Sequence, residues 1–435
     1  MRIKRLVGVV LGAALFMVTA VPTASAGTAV TASPAAGSLD RAALRTTLNA
    51  IHEAGMYGSY SSVREGTERW TGASGLADVD TGRPVGPGMR HRVGSISKTF
   101  TAVAILQQVE RGRIRLDAPI GEYLPELVRG ERGREVTVRM LLNHTSGIGD
   151  YLLGAFPSLA EGSTASLDEE RFRSIRPEEL VRLGLAAPAT GRPGEQPGSY
   201  SNTNYVIAGL ILEKVTGQDA GTYITRNVID RAGLRATFYP RTPYIKGPHS
   251  RMYESFYGLI DPPRDYSVYD MSWASTAGAI VSTTDDLNRF YRALLTGKLI
   301  GPAALNEMLR TVPVSVGGGA GIDYGLGIYV IDLPGCGRFW GHDGAVFGAG
   351  TIALSSRDGK RQLAMGWNLM KYQRLNEEGT ALEPSPIDDA INEHIVQALC
   401  QVPESRKSAA VIRHPLPERL LGVDLSSGQW FSSRG

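Results

Sequence analysis

Strand-like runs stand near both ends of this 435-residue chain, and most of what lies between them reads as helix. The segments 57–64 and 68–78 come early, behind a helical pattern at 39–54 with Ser38 as its expected cap. After Gly321 the pattern returns to short strands at 328–333, 337–341, 346–355 and 362–368, with Asp358-Gly359 as a hairpin turn between the last two. Helices are expected at 137–143, 177–185, 204–216, 222–231, 287–295, 302–309 and 386–400. Strands from both ends with helices between them predict an α/β fold built on one mixed sheet, interrupted by a helical insertion. The expected division is a sheet domain of 38–98 plus 262–400 and a mainly helical domain of 99–261.

The two ends stand apart from this pattern. Arg2, Lys4 and Arg5 precede an apolar stretch at 6–21, and Ala24-Ser25-Ala26 follows with small residues. This reads as a secretory signal peptide (1–26) cut after Ala26, with an N-terminal membrane anchor as the alternative. No later segment is apolar enough to span a bilayer, so the expected product is secreted and soluble. A small-residue linker covers 27–37, and the polar 401–435 reads as a disordered or trimmed tail. Without the three leader cations the 46 basic residues fall to 43, matching the 43 acidic ones. That balance offers no electrostatic case for nucleic acid or an anionic membrane as partner. Cys336 and Cys400 form an even pair that reads as a disulfide in an exported protein, two buried free thiols being the alternative. Nothing among the histidines, cysteines and carboxylates has metal-ligand spacing, so no metal or cofactor is expected.

One tetrapeptide carries chemistry. Ser95-Ile96-Ser97-Lys98 opens an apolar run at 100–109, the mark of a buried helix ending near Arg111-Gly112. Residues three apart on a helix share a face, so the Lys98 amine can reach the Ser95 hydroxyl and relieve it of a proton. A serine cap followed by a surface lysine is the bland reading, and Ser-x-x-Lys alone is a weak signal. Two later motifs give it company. Tyr200-Ser201-Asn202 lies in a polar loop just before a helix, and His342-Asp343-Gly344 lies at a strand start. Each alone reads equally well as a helix cap or a structural histidine. Together, in this order, they form a serine-hydrolase layout.

With these motifs the chain resembles the penicillin-recognising serine hydrolases, which include class C β-lactamases and secreted D-alanyl-D-alanine carboxypeptidases, and most of all the soluble carboxypeptidases. The likeness runs from about 40 to 400 and includes Arg92-Val-Gly-Ser-Ile-Ser-Lys, Leu141-Leu-Asn-His-Thr-Ser-Gly, Tyr200-Ser-Asn-Thr-Asn-Tyr, Ser272-Trp-Ala-Ser-Thr-Ala-Gly-Ala and Tyr324-Gly-Leu-Gly. It implies a β-lactamase/transpeptidase-like fold: a mainly antiparallel sheet flanked by helices, with an inserted all-helical lobe. It also implies an acyl-serine mechanism with Ser95 as nucleophile, Lys98 and Tyr200 as the base system, and the backbone N–H groups of Ser95 and Ala345 as oxyanion hole. Asn202, His342, Asp343, Gly344, Trp273 and Tyr329 become substrate-binding candidates. Cys336 and Cys400 fall where those carboxypeptidases place a disulfide, and the stretch from Asn143 to Gly147 is taken as a structural turn. The implied substrates are small peptides, amides or esters, with peptidoglycan stem peptides and β-lactams among them.

The match fails in one place. Carboxypeptidases of this kind grip a free carboxylate with an arginine and two threonines, and the matching positions here are Tyr329, Asp343 and Ala345. A charge-assisted hydrogen bond is worth about 1.5–3 kcal/mol, and two carboxylates about 4 Å apart repel by about 1–4 kcal/mol. The leading expectation is a carboxypeptidase-like hydrolase. The alternative is an esterase or D-amino-acid amidase that prefers substrates without a free carboxylate, unless Arg338 or another arginine restores the grip. A class C β-lactamase fits less well because those enzymes carry lysine where His342 stands. A non-catalytic penicillin-binding module would not keep Ser95, Lys98 and Tyr200 together, and an α/β-hydrolase would need a Gly-x-Ser-x-Gly that the chain lacks.

Overall fold

The structure is a computed structural model that describes residues 39–316, 321–376 and 382–400. The expected leader, linker and tail lie outside the described residues. Eight main strands build the large sheet: β1 (Gly58–Glu65), β2 (Glu68–Asp78), β3 (Val312–Ser315), β4 (Ile322–Tyr324), β5 (Tyr329–Leu333), β6 (Gly337–Val346), β7 (Ala349–Ser356) and β8 (Arg361–Trp367). Their order is β2-β1-β8-β7-β6-β5-β4-β3, with the short strands Arg83–Pro84 beside β2 and Gly198–Ser199 beside β3. All neighbours run antiparallel except Gly198–Ser199, which lies parallel to β3. The early strand β1 pairs with the late strand β8, so strands from both sides of the helical stretch share one sheet, as the sequence predicts.

Five helices matter most for the site: α1 (Arg41–Glu53), α2 (Ser97–Glu110), α3 (Asn202–Thr216), α4 (Thr284–Leu295) and α5 (Pro386–Leu399). The first begins later than expected, because Asp40 caps it by accepting from the Ala43 N–H at 2.9 Å. Side chains alternate between the two faces of the sheet. Val63, Ile352, Leu354, Leu363 and Met365 share one apolar cluster with α1 and α5. The opposite face carries Ala353 and Ala364, which join the cluster of α2, α3 and α4. These small residues let α4 lie close on β1, β7 and β8, where Asn288 Nδ2 donates to the Ser62 carbonyl at 2.8 Å. Buried from Ser97 to Gln108, α2 is covered on every side and runs through the interior.

Three expectations need correction. Ser95 is not within the α-helix but in a 3-10 turn (Gly94–Ile96) that leads into it. His342 does not start a strand: β6 continues unbroken from Gly337 to Val346 and carries it past its midpoint. The strands β3 and β4 had no counterpart in the sequence reading. Cys336 and Cys400 are disulfide-bonded, tying the end of α5 to the hairpin between β5 and β6.

Candidate active site

The 3-10 turn presents Ser95 where the start of α2 meets β6. Gly94 is held there at φ +52°, a conformation that L side chains seldom adopt. A Cβ on Gly94 would come within 2.5 Å of the Ala345 nitrogen, and one on Gly344 within 2.7 Å of the Ser95 nitrogen. The two missing side chains allow the turn and the strand to approach backbone to backbone. The backbones at Ser95 and Ala345 thereby lie close together beside both pockets.

Lys98 lies on the first turn of α2 and is fully buried. Its Nζ reaches three acceptors: Ser95 Oγ at 2.9 Å, Asn202 Oδ1 at 2.7 Å and the Ala277 carbonyl at 3.1 Å. Burial lowers its pKa to about 7, with Asp150 and then Asp343 opposing the shift. Asn202 opens α3, and both of its nitrogens donate to Asp150 Oδ2, the backbone N at 2.6 Å and Nδ2 at 2.9 Å. Tyr200 precedes that helix. The Lys98 amine stands 4.9 Å from its ring centre. Burial pushes the Tyr200 phenol well above its ordinary range, while a hydrogen bond with Ser95 pulls the other way. Under Tyr200 lies His144, 4.1 Å between ring centres, whose Nδ1 accepts from the Ser201 N–H and faces the Asn204 amide. So Ser95 and Lys98 from one segment of the chain and Tyr200 and Asn202 from another are brought together.

Two pockets flank Ser95. The first is closed by Tyr151, Leu152, Trp273, Ala277 and Val346 beside Tyr200 and Asn202. Trp273 is 5% exposed, stacked on Phe347 at 4.9 Å and edge-on to Phe156 at 5.4 Å. The second is bounded by Val316, Ile322, His342, Asp343, Gly344 and Ala345. The sequence implied a cationic or hydrogen-bond-donating residue at His342, and the structure shows neither facing the pocket. Burial, reinforced by Lys98, lowers its pKa to about 3. Its Nδ1 lies 2.5 Å from the Asp343 carbonyl, which can only accept, so Nδ1 carries the hydrogen. Its Nε2 then accepts from the Tyr324 hydroxyl at 2.8 Å. The ring is neutral, and both nitrogens are engaged within the protein.

Tyr329 lines neither pocket. It pairs with Gly341 on β6 and packs behind His342, 5.3 Å between ring centres, as part of the α1/α5 core cluster. Arg338 lies at the start of β6 by the disulfide and pairs with Asp332 at 2.9 Å, so it supplies no cation to either pocket. Sequence reasoning missed Asp150, Tyr151, Leu152, Val316 and Ile322. The acid three residues after Gly147 was the one available signal, since it closes a stretch already singled out.

A β-lactamase family model matches residues 46–382. Penicillin-binding protein 4* of Bacillus subtilis is 29% identical over 332 residues, 74% of this chain and 68% of that protein. Esterase EstB of Burkholderia gladioli is 33% identical over a shorter 219 residues, 48% of this chain and 55% of that one. The crystal structure of a D-stereospecific amidohydrolase from Streptomyces sp. superposes with a TM-score of 0.71 at 36% identity, covering 84% of this chain and 100% of that chain. On this match the chain belongs to the β-lactamase family, as a serine hydrolase.

Proposed function

We propose that this protein hydrolyses amides and esters of D-amino acids through an acyl-Ser95 intermediate, and that it prefers substrates whose leaving group carries no carboxylate. The observation that carries the chemistry is the position of the Lys98 amine. A neutral amine has two hydrogens and one lone pair. With the hydrogens given to Asn202 Oδ1 and the Ala277 carbonyl, the lone pair falls on the Ser95 hydroxyl 2.9 Å away. Lys98 takes the Ser95 proton as Oγ attacks the substrate carbonyl, and the Ser95 and Ala345 amides hold the oxyanion. The raised phenol of Tyr200 stays protonated and hands its proton to the departing amine or alkoxide, recovering one from the Lys98 ammonium. Water then cleaves the acyl-serine bond.

Specificity rests on the second pocket. Among the described residues its lining holds one ionisable acid, Asp343, and neither lysine nor arginine. An anionic leaving group meets a carboxylate there and finds no cation to pair with. The amidohydrolase from Streptomyces and the esterase EstB support this alternative over the carboxypeptidase reading. The penicillin-binding relative keeps peptidoglycan stem peptides and β-lactams as slower substrates or acylating agents. Export with loss of the first 26 residues fits the same reading. Turnover of a D-alanyl-D-alanine peptide, its methyl ester and a D-amino-acid amide, beside Ser95→Ala, tests the proposal. The ester and amide are expected to exceed the acid in kcat/KM by at least about tenfold, with Ser95→Ala at background. Equal or better use of the acid would sink the preference.

A further inference from the structure

Asp150 has no role in the chemistry above, yet its carboxylate reaches into it at three points. Oδ2 accepts from the backbone N and the Nδ2 of Asn202, and Oδ1 accepts from the Leu152 N–H at 2.9 Å. The same loop is pinned to the start of α3 by Ser201 and Thr203, whose hydroxyls donate to the Gly149 carbonyl at 3.1 and 2.7 Å. One acceptor-only group therefore ties together the base-holding amide and the wall of the first pocket.

The geometry of Asn202 explains why an acid is needed. Rotated by half a turn, its amide would point Nδ2 at Lys98, where it could only oppose the amine's hydrogens or take up the lone pair that faces Ser95. A carboxylate at 150 excludes that rotamer, because Oδ1 of Asn202 would then face an oxygen that cannot donate. We propose that Asp150 is a positioning residue for acylation: it locks the Asn202 amide with Oδ1 toward Lys98 and so keeps the lysine lone pair on the Ser95 hydroxyl. The inference rests on the acyl-serine reading of the site.

The charge of Asp150 gives this role a signature that a mere helix cap would lack. The charged and titratable groups around the Lys98 amine are Asp150 and Asp343, which favour its proton, and His144 and His342, whose own protonation the lysine disfavours. The rings of Tyr200 and Tyr205 pack at 4.9 and 5.7 Å. Asp150 is the leading stabiliser of the ammonium form. Its removal should therefore make the base weaker and misplaced while leaving the fold intact.

The test is Ser95 acylation by a p-nitrophenyl ester, followed by mass and by rate against pH, for wild type, Asp150→Asn, Asn202→Ala and the double variant. The plateau rate of Asp150→Asn is expected to fall roughly ten- to a hundredfold. Its acid limb should move down by about one pH unit. The double variant should be no slower than Asn202→Ala alone. Wild-type plateau and limb in Asp150→Asn, or losses that simply multiply, overturn the proposal. Should Asp150→Asn prove too unstable to assay, Asn202→Ala decides: wild-type acylation in that variant leaves the lock nothing to act on. Absence of a Ser95 adduct in the wild type is a different failure, since it removes the acyl-serine reading itself.

Discussion

The two pockets beside Ser95 are built on opposite plans. The first is an apolar wall braced from behind. Trp273 stacks on Phe347, and the chain next to Phe347 is held by the buried pair Lys371–Glu254 at 2.7 Å, with Glu254 also accepting from the Gly348 N–H at 3.1 Å. The second is bordered by two aliphatic side chains, a neutral histidine and one carboxylate. The contrast teaches where selection is exerted. The braced wall can discriminate by shape and apolar area, and the second pocket by charge.

Four experiments would break or sharpen this division. The largest effect should come from Tyr200→Phe, which removes the proton donor proposed for the leaving-group side. Amide hydrolysis should fall about a thousandfold, while a p-nitrophenyl ester, whose leaving group needs no proton, should lose far less. Equal losses in steady-state kinetics would mean that Tyr200 serves both halves of the cleft alike. Next comes pH. Lys98 accepts a proton only when neutral, and its pKa is about 7. Hence kcat/KM for an uncharged ester should fall about tenfold per unit below that value and level off above it. A profile flat between about pH 5 and 9 would remove Lys98 as base.

Trp273→Ala should lower kcat/KM about thirtyfold for an aromatic acyl group and change an alanyl one little, since about 2 kcal/mol of apolar contact is lost. Competition assays with the two substrates measure that ratio directly, and a uniform drop would mark the tryptophan as a packing residue only. Asp343→Asn is expected to act most weakly, raising use of an acid-terminated peptide about tenfold and leaving its methyl ester unchanged. An unchanged ratio would show that the carboxylate does not face the leaving group.

Features set by local spacing were legible in the sequence. Lys98 reaches Ser95 because residues three apart share a helical face, and the β1–β2 hairpin ends at Glu65 and Glu68, close to the expected limits. Features set by contact across the chain were not. Gly341 and Gly344 look like strand breakers, and the sequence alone reads as separate strands at 337–341 and 346–355. Both are there because another backbone passes where a side chain would go, the Ala353 carbonyl at one and Val93 and Ser95 at the other. Val316 and Ile322 gave no signal, since they enter the site from β3 and β4 at the far edge of the sheet. The position of Tyr329 could be aligned, but its burial behind His342 depends on which face of β5 is turned inward.

The absence of two side chains, at Gly94 and Gly344, sets a limit on how this enzyme can be redesigned. Each pocket can be recut at its rim, at Leu152 and Trp273 in the first and at Val316 and Ile322 in the second, away from the two glycines. The junction of turn and strand has no such latitude: a single methyl group there would pry the paired amides apart. Substrate range can be engineered from the rims inward, and the seam at the centre has to be inherited unchanged.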